Sequence, residues 1–321
     1  MNKIILKTIA AIGFAAITSF SFAQASDMRQ IKDDVGRDLQ VPVSPTAIVA
    51  LHDSMLTLPL IELGVLPVGS DGRTDKATGR NFIRAGKSLT GIDFDNSSIK
   101  YVSSDLEKIA AVKPDLIIIS TGDQDILDKL QAIAPTFVID YDKRTRIQIF
   151  EILAELSNTV AKLDTLKTRY NQQIQDIKNV IDTQNITVNV MQPSKGKILV
   201  WNSYFSLGKV LRDAGFKFPK IVNEIKPGER AQFSAEKLQE LDADYIFVTY
   251  RTDRNHTPQN TVADFEDVIP NFCNYLKACR ENQMLVMPRE AASSNSFTAL
   301  GLSAFTVLTH ISGNPYKKLG K

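Results

Sequence analysis

The chain has 321 residues, and its 38 Lys and Arg against 36 Asp and Glu give a formal net charge of +2. This near balance argues against non-specific nucleic-acid binding, which needs a basic excess or a basic stripe. A chain of this length can form two lobes, each with its own hydrophobic core.

The first 25 residues have the pattern of a cleaved secretory signal. Lys3 and Lys7 form a charged start, an apolar stretch follows at 9–22, and Ala23-Gln24-Ala25 is a small-residue cleavage site. The apolar stretch is too short, and too rich in Ala, Ser and Thr, for a membrane span. We predict export with cleavage after Ala25, which brings the net charge close to zero.

The two cysteines of the chain, Cys273 and Cys279, lie six positions apart. In an oxidising compartment such a pair forms a small-loop disulfide. Two thiols without a neighbouring His are too few ligands for a metal site. We therefore predict a disulfide and no protein metal centre.

The first half of the mature chain alternates short apolar runs with helix-like stretches. Such alternation predicts a parallel sheet covered on both faces. The segment 69–98, rich in Gly, Ser, Thr and Asp, is predicted to be mostly loop. The predicted strands are 47–51, 65–68, 116–120 and 137–140, and the predicted helices are 53–63, 105–112 and 125–134.

Residues 144–181 carry apolar side chains at every third or fourth position and contain no Gly or Pro. This period predicts a helix about 50 Å long. Ser157 could cap a new helix, so a kink or two helices at Ser157-Asn158 is an alternative. We interpret the run as a rigid strut between two lobes, although a surface helix of one large domain would show the same pattern.

The second half returns to the same alternation. The predicted strands are 197–201, 246–250 and 285–287, and the predicted helices are 207–214, 235–241, 265–277 and 296–311. One segment repeats between the halves: Glu107-Lys108-Ile109 and Glu236-Lys237-Leu238 each precede an Asp, eight residues after the Glu, and then an apolar strand. Two related lobes explain this match, but helix–turn–strand segments also converge by chance.

Arginines and aromatic residues recur just past the predicted strand ends. Because ligands of open parallel sheets bind beyond the carboxyl ends of the strands, this edge is the expected binding rim. Guanidinium groups and flat rings suit a large, anionic, partly aromatic ligand. Any single Arg of the set could instead be a solvated loop charge. The candidate ligand-binding residues are His52, Arg73, Arg80, Arg84, Trp201, Tyr204, Arg230, Tyr250, Arg251 and Arg254.

The sequence has no GxSxG, GxxxxGK[ST] or HExxH motif, and no GxGxxG opens a helix after the first strand. We expect a protein that is not an enzyme. A secreted hydrolase using Asp53 or Asp123 with His52 is a rival interpretation, and a cell-envelope scaffold without a small ligand is another.

The chain resembles the periplasmic binding proteins of ABC importers for ferric siderophores, haem and cobalamin. The resemblance rests on the signal, SPTAIVAL, LEKIAAVKPDLIIIS, IAPTFVIDYD, the mid-chain helix and SAEKLQELDADYIFVTYR. It implies an α/β fold of two lobes with mainly parallel sheets flanked by helices. One long rigid helix joins the lobes, and the ligand lies in the cleft between them. The implied division is a signal at 1–25, lobes at 26–143 and 184–321, and a helical segment at 144–183.

The resemblance also implies a role: a monomer in the periplasm that delivers its ligand to an inner-membrane permease dimer. Glu107 and Glu236 match the two glutamates with which the family docks to that permease. The loops and the YDKRT segment look most like binders of catecholate or mixed catecholate–hydroxamate siderophores, while haem or cobalamin is the alternative ligand. The iron-ligating Tyr and His of some relatives are missing at 290–293 and 227–230, so we expect the siderophore alone to hold the iron.

Overall fold

The computed structural model describes residues 27–313, so the predicted signal lies outside the described residues. The chain forms two lobes, each built on a five-stranded sheet. This is the two-lobe α/β architecture predicted from the sequence. An antiparallel hairpin of β1 (Met28–Lys32) and β2 (Asp38–Pro42) precedes the first lobe.

The first lobe contains these elements in chain order: β3 (Ile48–Ala50), α1 (Leu58–Glu62), β4 (Gly69–Ser70), β5 (Arg73–Thr74), β6 (Asn81–Phe82), α2 (Gly86–Thr90), β7 (Lys100–Tyr101), α3 (Leu106–Ala111), β8 (Leu116–Ser120), α4 (Leu127–Gln131) and β9 (Thr136–Ile139). Its sheet has the order β7-β4-β3-β8-β9, and all neighbouring pairs are parallel. Every residue of β8 is buried, which explains why this strand is a continuous apolar run.

The connection between the lobes is two helices, α5 (Arg146–Leu156) and α6 (Val160–Val180), so the prediction of one long helix over 144–181 is wrong. The Ser157 hydroxyl donates to the Leu153 carbonyl at 2.7 Å, and Asn158 has a φ of 56°, a left-handed conformation that ends helices. The alternative with a break at this point is correct. α6 alone is about 31 Å long. It buries the face that the apolar period predicted, consisting of Leu163, Leu166, Tyr170, Ile174 and Ile177.

The second lobe contains these elements: β10 (Val188–Ser194), β11 (Lys197–Trp201), α7 (Phe205–Asp213), α8 (Lys220–Asn223), β12 (Arg230–Phe233), β13 (Tyr245–Tyr250), α9 (Pro258–Val268), α10 (Lys277–Arg280), β14 (Met284–Pro288), α11 (Arg289–Ser293) and α12 (Phe297–Ser312). Its sheet has the order β12-β11-β10-β13-β14. β13 is parallel to both of its neighbours, whereas β11 is antiparallel to β10 and β12.

Several predicted elements differ from the observed ones. The strand predicted at 65–68 starts only at Gly69, because Pro67 cannot donate to the ladder. The predicted loop 69–98 contains β4 to β6 and α2. The helix predicted at 265–277 is broken near Pro270 and Asn271, where φ is 58°. The predicted helix 235–241 is a 3-10 helix, and the one predicted at 53–63 begins with a π-helical turn.

The two lobes also meet directly at the start of α12. The Glu62 carboxylate at the end of α1 accepts hydrogen bonds from the Ser296 hydroxyl at 2.7 Å, the Phe297 N–H at 2.6 Å and the Thr298 N–H at 2.9 Å. The Phe297 ring lies edge-on to Phe150 of α5, with centroids 4.9 Å apart. A first-lobe carboxylate thus satisfies the free N–H groups at the start of a second-lobe helix.

Candidate ligand-binding cleft

Three adjoining cavities lie along the second lobe, and one of them, the arginine cavity, is lined by residues of both lobes. The arginine cavity, about 810 Å³, is lined by residues 73–93 of the first lobe and by 251–255 and Glu290 of the second. The bridging cavity, about 320 Å³, shares Arg251 and Arg254 with it. The aromatic cavity, about 1040 Å³, shares Trp201 and Arg230 with the bridging cavity. The three cavities are therefore neighbours along one side of the cleft.

Two of the predicted ligand-binding arginines already have acidic partners. Arg73 donates to the Asp53 carboxylate through Nε at 3.0 Å and Nη2 at 3.3 Å, and Asp53 is only 1% exposed. Asp53 also accepts the backbone N–H of Arg84 at 3.1 Å. Arg80 pairs with Asp95 at 3.0 Å. These pairs fix the loop that lines the arginine cavity and neutralise both guanidinium groups.

Arg84 lines the arginine cavity and forms no ion pair among residues 27–313. Burial lowers its pKa, and Arg289 and Arg251 lower it further because they add positive charge nearby. Arg251 itself holds Asp253 with both ends of its fork, at 2.9 and 2.5 Å. The centre of the cleft therefore concentrates positive charge that the surrounding carboxylates compensate only in part.

Arg146 is a site residue that the sequence reasoning missed. It lines the aromatic cavity, and its guanidinium lies over the Phe205 ring at 4.5 Å from the centroid. Its Nη1 donates to the Ser293 carbonyl at 3.2 Å, and no carboxylate of residues 27–313 pairs with it. Burial, and then the charge of Arg84, lower the pKa of Arg146 to about 10. Its position seven residues after the last residue of β9 was the available signal.

The predicted aromatic residues form one cluster in the second lobe. Trp201 lies edge-on to Tyr204 at 4.8 Å, and Phe205 lies 5.1 Å from Tyr204. Trp201 is partly exposed, but Tyr204 is only 1% exposed and its hydroxyl meets that of Thr249 at 3.2 Å. The buried Tyr204 ring therefore packs against Trp201 and helps to hold it in position. Trp201 ends β11, so the strand predicted at 197–201 is the second strand of this lobe and not the first.

Tyr250, Arg254 and Arg230 complete the predicted set along the second-lobe rim. Tyr250 ends β13 and lines the bridging cavity together with Arg254 and Arg230. Arg254 and Arg230 are exposed and have no ion-pair partner within residues 27–313. These two cations are free to meet an anion.

His52 lies outside the cavities described above. Its Nδ1 accepts the Met55 N–H at 3.2 Å, so it caps the turn that follows β3. Its ring lies edge-on to Tyr141 at 5.7 Å. Burial lowers the pKa of His52, against the opposing effect of Asp53. The structure thus gives this predicted ligand contact a capping role.

Glu290 is a buried acidic residue at the arginine cavity, 7% exposed. Both of its carboxylate oxygens lack a hydrogen-bond partner among the described residues. Its negative charge favours the nearby Arg251 cation and offsets part of the positive charge of the cleft.

The two glutamates predicted to dock on a permease are both exposed and lie in the first turns of α3 and of the 3-10 helix Ala235–Leu241. Neither forms an ion pair within residues 27–313. Away from the cleft, Cys273 and Cys279 are joined by a disulfide, with Cα atoms 5.1 Å apart.

Among residues 27–313, no group of three or more His, Cys, Asp or Glu side chains is arranged to hold a metal ion. In the same part of the chain, no helix combines the length and the apolar character that crossing a membrane requires.

Comparison with known proteins identifies the family. The iron-uptake system-binding protein of Bacillus subtilis is 26% identical over 271 residues, covering 82% of this chain and 80% of that protein. The iron(3+)-hydroxamate-binding protein FhuD of B. subtilis is 29% identical over 150 residues, covering 44% of this chain and 47% of its own length.

A crystal structure of a B. subtilis protein, described as a periplasmic binding protein component of a Fep/Fec-like ferrichrome ABC transporter, superposes with a TM-score of 0.70. It is 21% identical, and the match covers 88% of this chain and 99% of that one, so it shows the shared fold. A family model described as periplasmic binding protein matches residues 97–288, more than half of the chain. The chain therefore belongs to the periplasmic binding protein family, whose members bind without catalysis.

Proposed function

We propose that this protein captures a ferric siderophore in the interlobe cleft and delivers it to an inner-membrane ABC permease dimer. It does so as a periplasmic monomer after cleavage at Ala25. The iron is cargo, held by its chelator and not by protein ligands. The names of the relatives support this ligand class, since both curated relatives are iron-system binding proteins.

The observation that carries the proposal is a set of cleft arginines without carboxylate partners in residues 27–313. Arg84, Arg146 and Arg289 form no ion pair there, and Arg84 experiences the charges of both Arg289 and Arg251. The Asp253 carboxylate, which Arg251 holds, offsets part of the positive charge at Arg84 and Arg289, and an anionic ligand would neutralise more of it. We therefore infer an anionic chelate, of the catecholate or mixed catecholate–hydroxamate type.

A hydroxamate chelate without net charge is the second candidate, favoured by the name of one relative. The two candidates differ in charge, so a single comparison separates them. Purified protein is titrated with a tris-catecholate and with a tris-hydroxamate ferric complex while the fluorescence of Trp201, the single Trp, is recorded.

We expect tighter binding of the tris-catecholate complex and quenching of Trp201. Arg84→Gln should weaken that binding about tenfold or more, since a charge-assisted hydrogen bond to an anion contributes about 1.5–3 kcal/mol. Arg169→Gln is the matched control, because Arg169 is exposed on α6 and forms no ion pair in the described chain. Equal loss in both variants, or binding of neither complex, would contradict the proposal.

A further inference from the structure

The aromatic cavity differs in character from the arginine cavity at the other end of the cleft. Its walls include Trp201, Phe205 and Ile147. Most of its cations are already engaged: Arg144 pairs with Asp34, Lys209 with Asp213, and Arg212 donates to the Asn202 carbonyl. Arg146, Arg212 and Arg230 are the lining cations without an acidic partner in residues 27–313, but the Arg212 guanidinium is already held by the Asn202 carbonyl and the Asn223 side chain.

Arg146 and Phe205 together form a recognition surface for a flat anion. The Arg146 guanidinium stacks on the Phe205 ring, and apart from Nη1 its N–H groups make no hydrogen bond to residues 27–313. A guanidinium has five N–H donors in a planar fork that matches a carboxylate or a pair of adjacent phenolic oxygens. The rings of Trp201 and Phe205 offer apolar contacts to the body of the same group.

The backbone at Phe205 supports a function for this surface. Phe205 has a φ of 46°, a left-handed conformation that is unfavourable for a bulky side chain. Gly208 makes the tight turn possible, because a Cβ there would lie 2.7 Å from the Ser203 carbonyl carbon. The local structure thus holds the ring under Arg146 in spite of the backbone strain.

We propose that the aromatic cavity is a separate subsite for one planar, anionic aromatic arm of the chelate, with Arg146 and Phe205 as its specificity-determining residues. This inference rests on the proposed function, because the arm belongs to a ferric chelate whose iron centre lies near Arg84 and Arg251. It deepens that function by specifying an asymmetric ligand: a charged chelating centre, and an aromatic acid arm that reaches past Trp201.

The test uses metal-free 2,3-dihydroxybenzoate as a probe for the arm, with binding to the full mature protein measured by calorimetry and ligand-detected NMR. We expect weak binding, with a Kd on the order of 0.1–1 mM, which is typical of so small a ligand. Arg146→Gln should weaken it about tenfold, and Arg146→Lys should also weaken it, because Lys keeps the charge but loses the fork. Arg251→Gln should weaken the ferric chelate, whereas the exposed control Arg169→Gln should leave binding of the free acid unchanged.

Phe205→Gly is the second variant, since glycine adopts this φ without strain and the variant should therefore fold, as thermal melting will show. It should also abolish binding of the free acid. Binding of the acid that is unchanged in Arg146→Gln and Phe205→Gly, or no binding of the acid to a protein that binds ferric chelates, would overturn the subsite. Acid binding that depends on Arg146, in a protein that binds no ferric chelate, would support the subsite and refute the proposed function.

Discussion

Arg73 and Arg84 lie on the same cavity wall but have different environments. Arg73 neutralises the buried Asp53 carboxylate, whereas Arg84 faces other arginines. Removing the partner of a buried carboxylate costs stability, and removing a repelled cation does not. Arg73 therefore stabilises the loop, and we propose that Arg84 is the one that binds the ligand.

We predict that Arg73→Ala lowers the free energy of unfolding by about 1–2 kcal/mol, since Asp53 keeps its backbone donors. Arg84→Ala should leave the free energy of unfolding unchanged or raise it slightly. Urea denaturation of both variants, followed by circular dichroism, gives the two values. A larger loss for Arg84→Ala than for Arg73→Ala would reverse the assignment of roles.

His52 gives the protein a pH dependence whose sign follows from its environment. Burial lowers its pKa in the folded state, so the folded protein binds fewer protons at this site than the unfolded chain does. Stability should therefore fall as the pH decreases from about 6.5, the unfolded value, through the lowered folded pKa. Protonation of Nδ1 also removes the acceptor for the Met55 N–H.

His52→Asn keeps a capping acceptor and cannot titrate in this range. Melting temperatures of the wild type and the variant are compared at pH 7.5 and pH 5. We expect the wild type to lose more stability on acidification than the variant. Parallel losses would mean that other groups cause the pH dependence.

The residue types at the binding rim were predictable, but their partners were not. Arg84 and Arg251 follow predicted strands, and parallel strands bring their carboxyl ends to one edge. Whether an arginine is free depends on how its loop folds: Arg73 meets Asp53, twenty positions away, only through the loop conformation. Arg146 was missed because, in the sequence, it is one more charge at the start of a helix.

At the scale of elements, the contact between α1 and α12 is a direct hydrogen-bonded link between the lobes. Three donors at the start of α12 converge on the single carboxylate of Glu62. The carboxylate also lies at the positive end of a 16-residue helix, where a negative charge is favourable. Glu62 therefore acts as a cap supplied by the other lobe.

We predict that Glu62→Ala destabilises the protein by about 2–3 kcal/mol, because charge-assisted bonds are lost and helix donors remain unsatisfied. Glu151→Ala is the matched control, since Glu151 forms a surface pair with Lys167 at 2.6 Å. Such exposed pairs contribute about 0–1 kcal/mol. Similar values for the two variants, measured by chemical denaturation, would remove the special role of Glu62.

The helices and buried strands were easier to predict than the edges of the second sheet. β10 and β12 were not predicted, and the expectation of mainly parallel sheets did not identify β11 as antiparallel to both of its neighbours. β10 ends in Gln192-Pro193-Ser194, polar and Pro-containing positions that do not resemble a central strand. β10 is a central strand because it also pairs with β13, more than fifty residues further along the chain. Such long-range pairing cannot be seen in the local pattern of apolar residues.

At the scale of the whole molecule, Glu107 and Glu236 are the predicted contacts to the permease. Each could also be a helix-start acid that favours its helix dipole by about 0.3–1 kcal/mol. The two local structures differ, an α-helix with Asp105 as its cap and a 3-10 helix, yet both carboxylates are exposed and unpaired in the described chain. Two exposed carboxylates, one on each lobe, can fix the orientation of this protein on a permease dimer by pairing with its positive charges.

We predict that the double variant Glu107→Ala with Glu236→Ala binds the ferric chelate normally and fails to stimulate ATP hydrolysis by the reconstituted importer. Glu240→Ala is the control, since Glu240 is exposed on the same 3-10 helix and pairs with Lys237. If the double variant stimulates ATP hydrolysis normally, the two glutamates do not contact the permease and act only on the dipoles of their own helices.

Each of the two sheets is built from a single continuous segment of the chain, and this constrains the order in which the chain can fold. The first sheet uses residues 48–139 and the second uses residues 188–288, so each forms from one uninterrupted segment. Because a chain is synthesised from its amino terminus, every strand of the first sheet exists before β10 does. The cap between Glu62 and α12 joins the first α-helix to the last one of residues 27–313, so the cleft can acquire its final width only after α12 has been made.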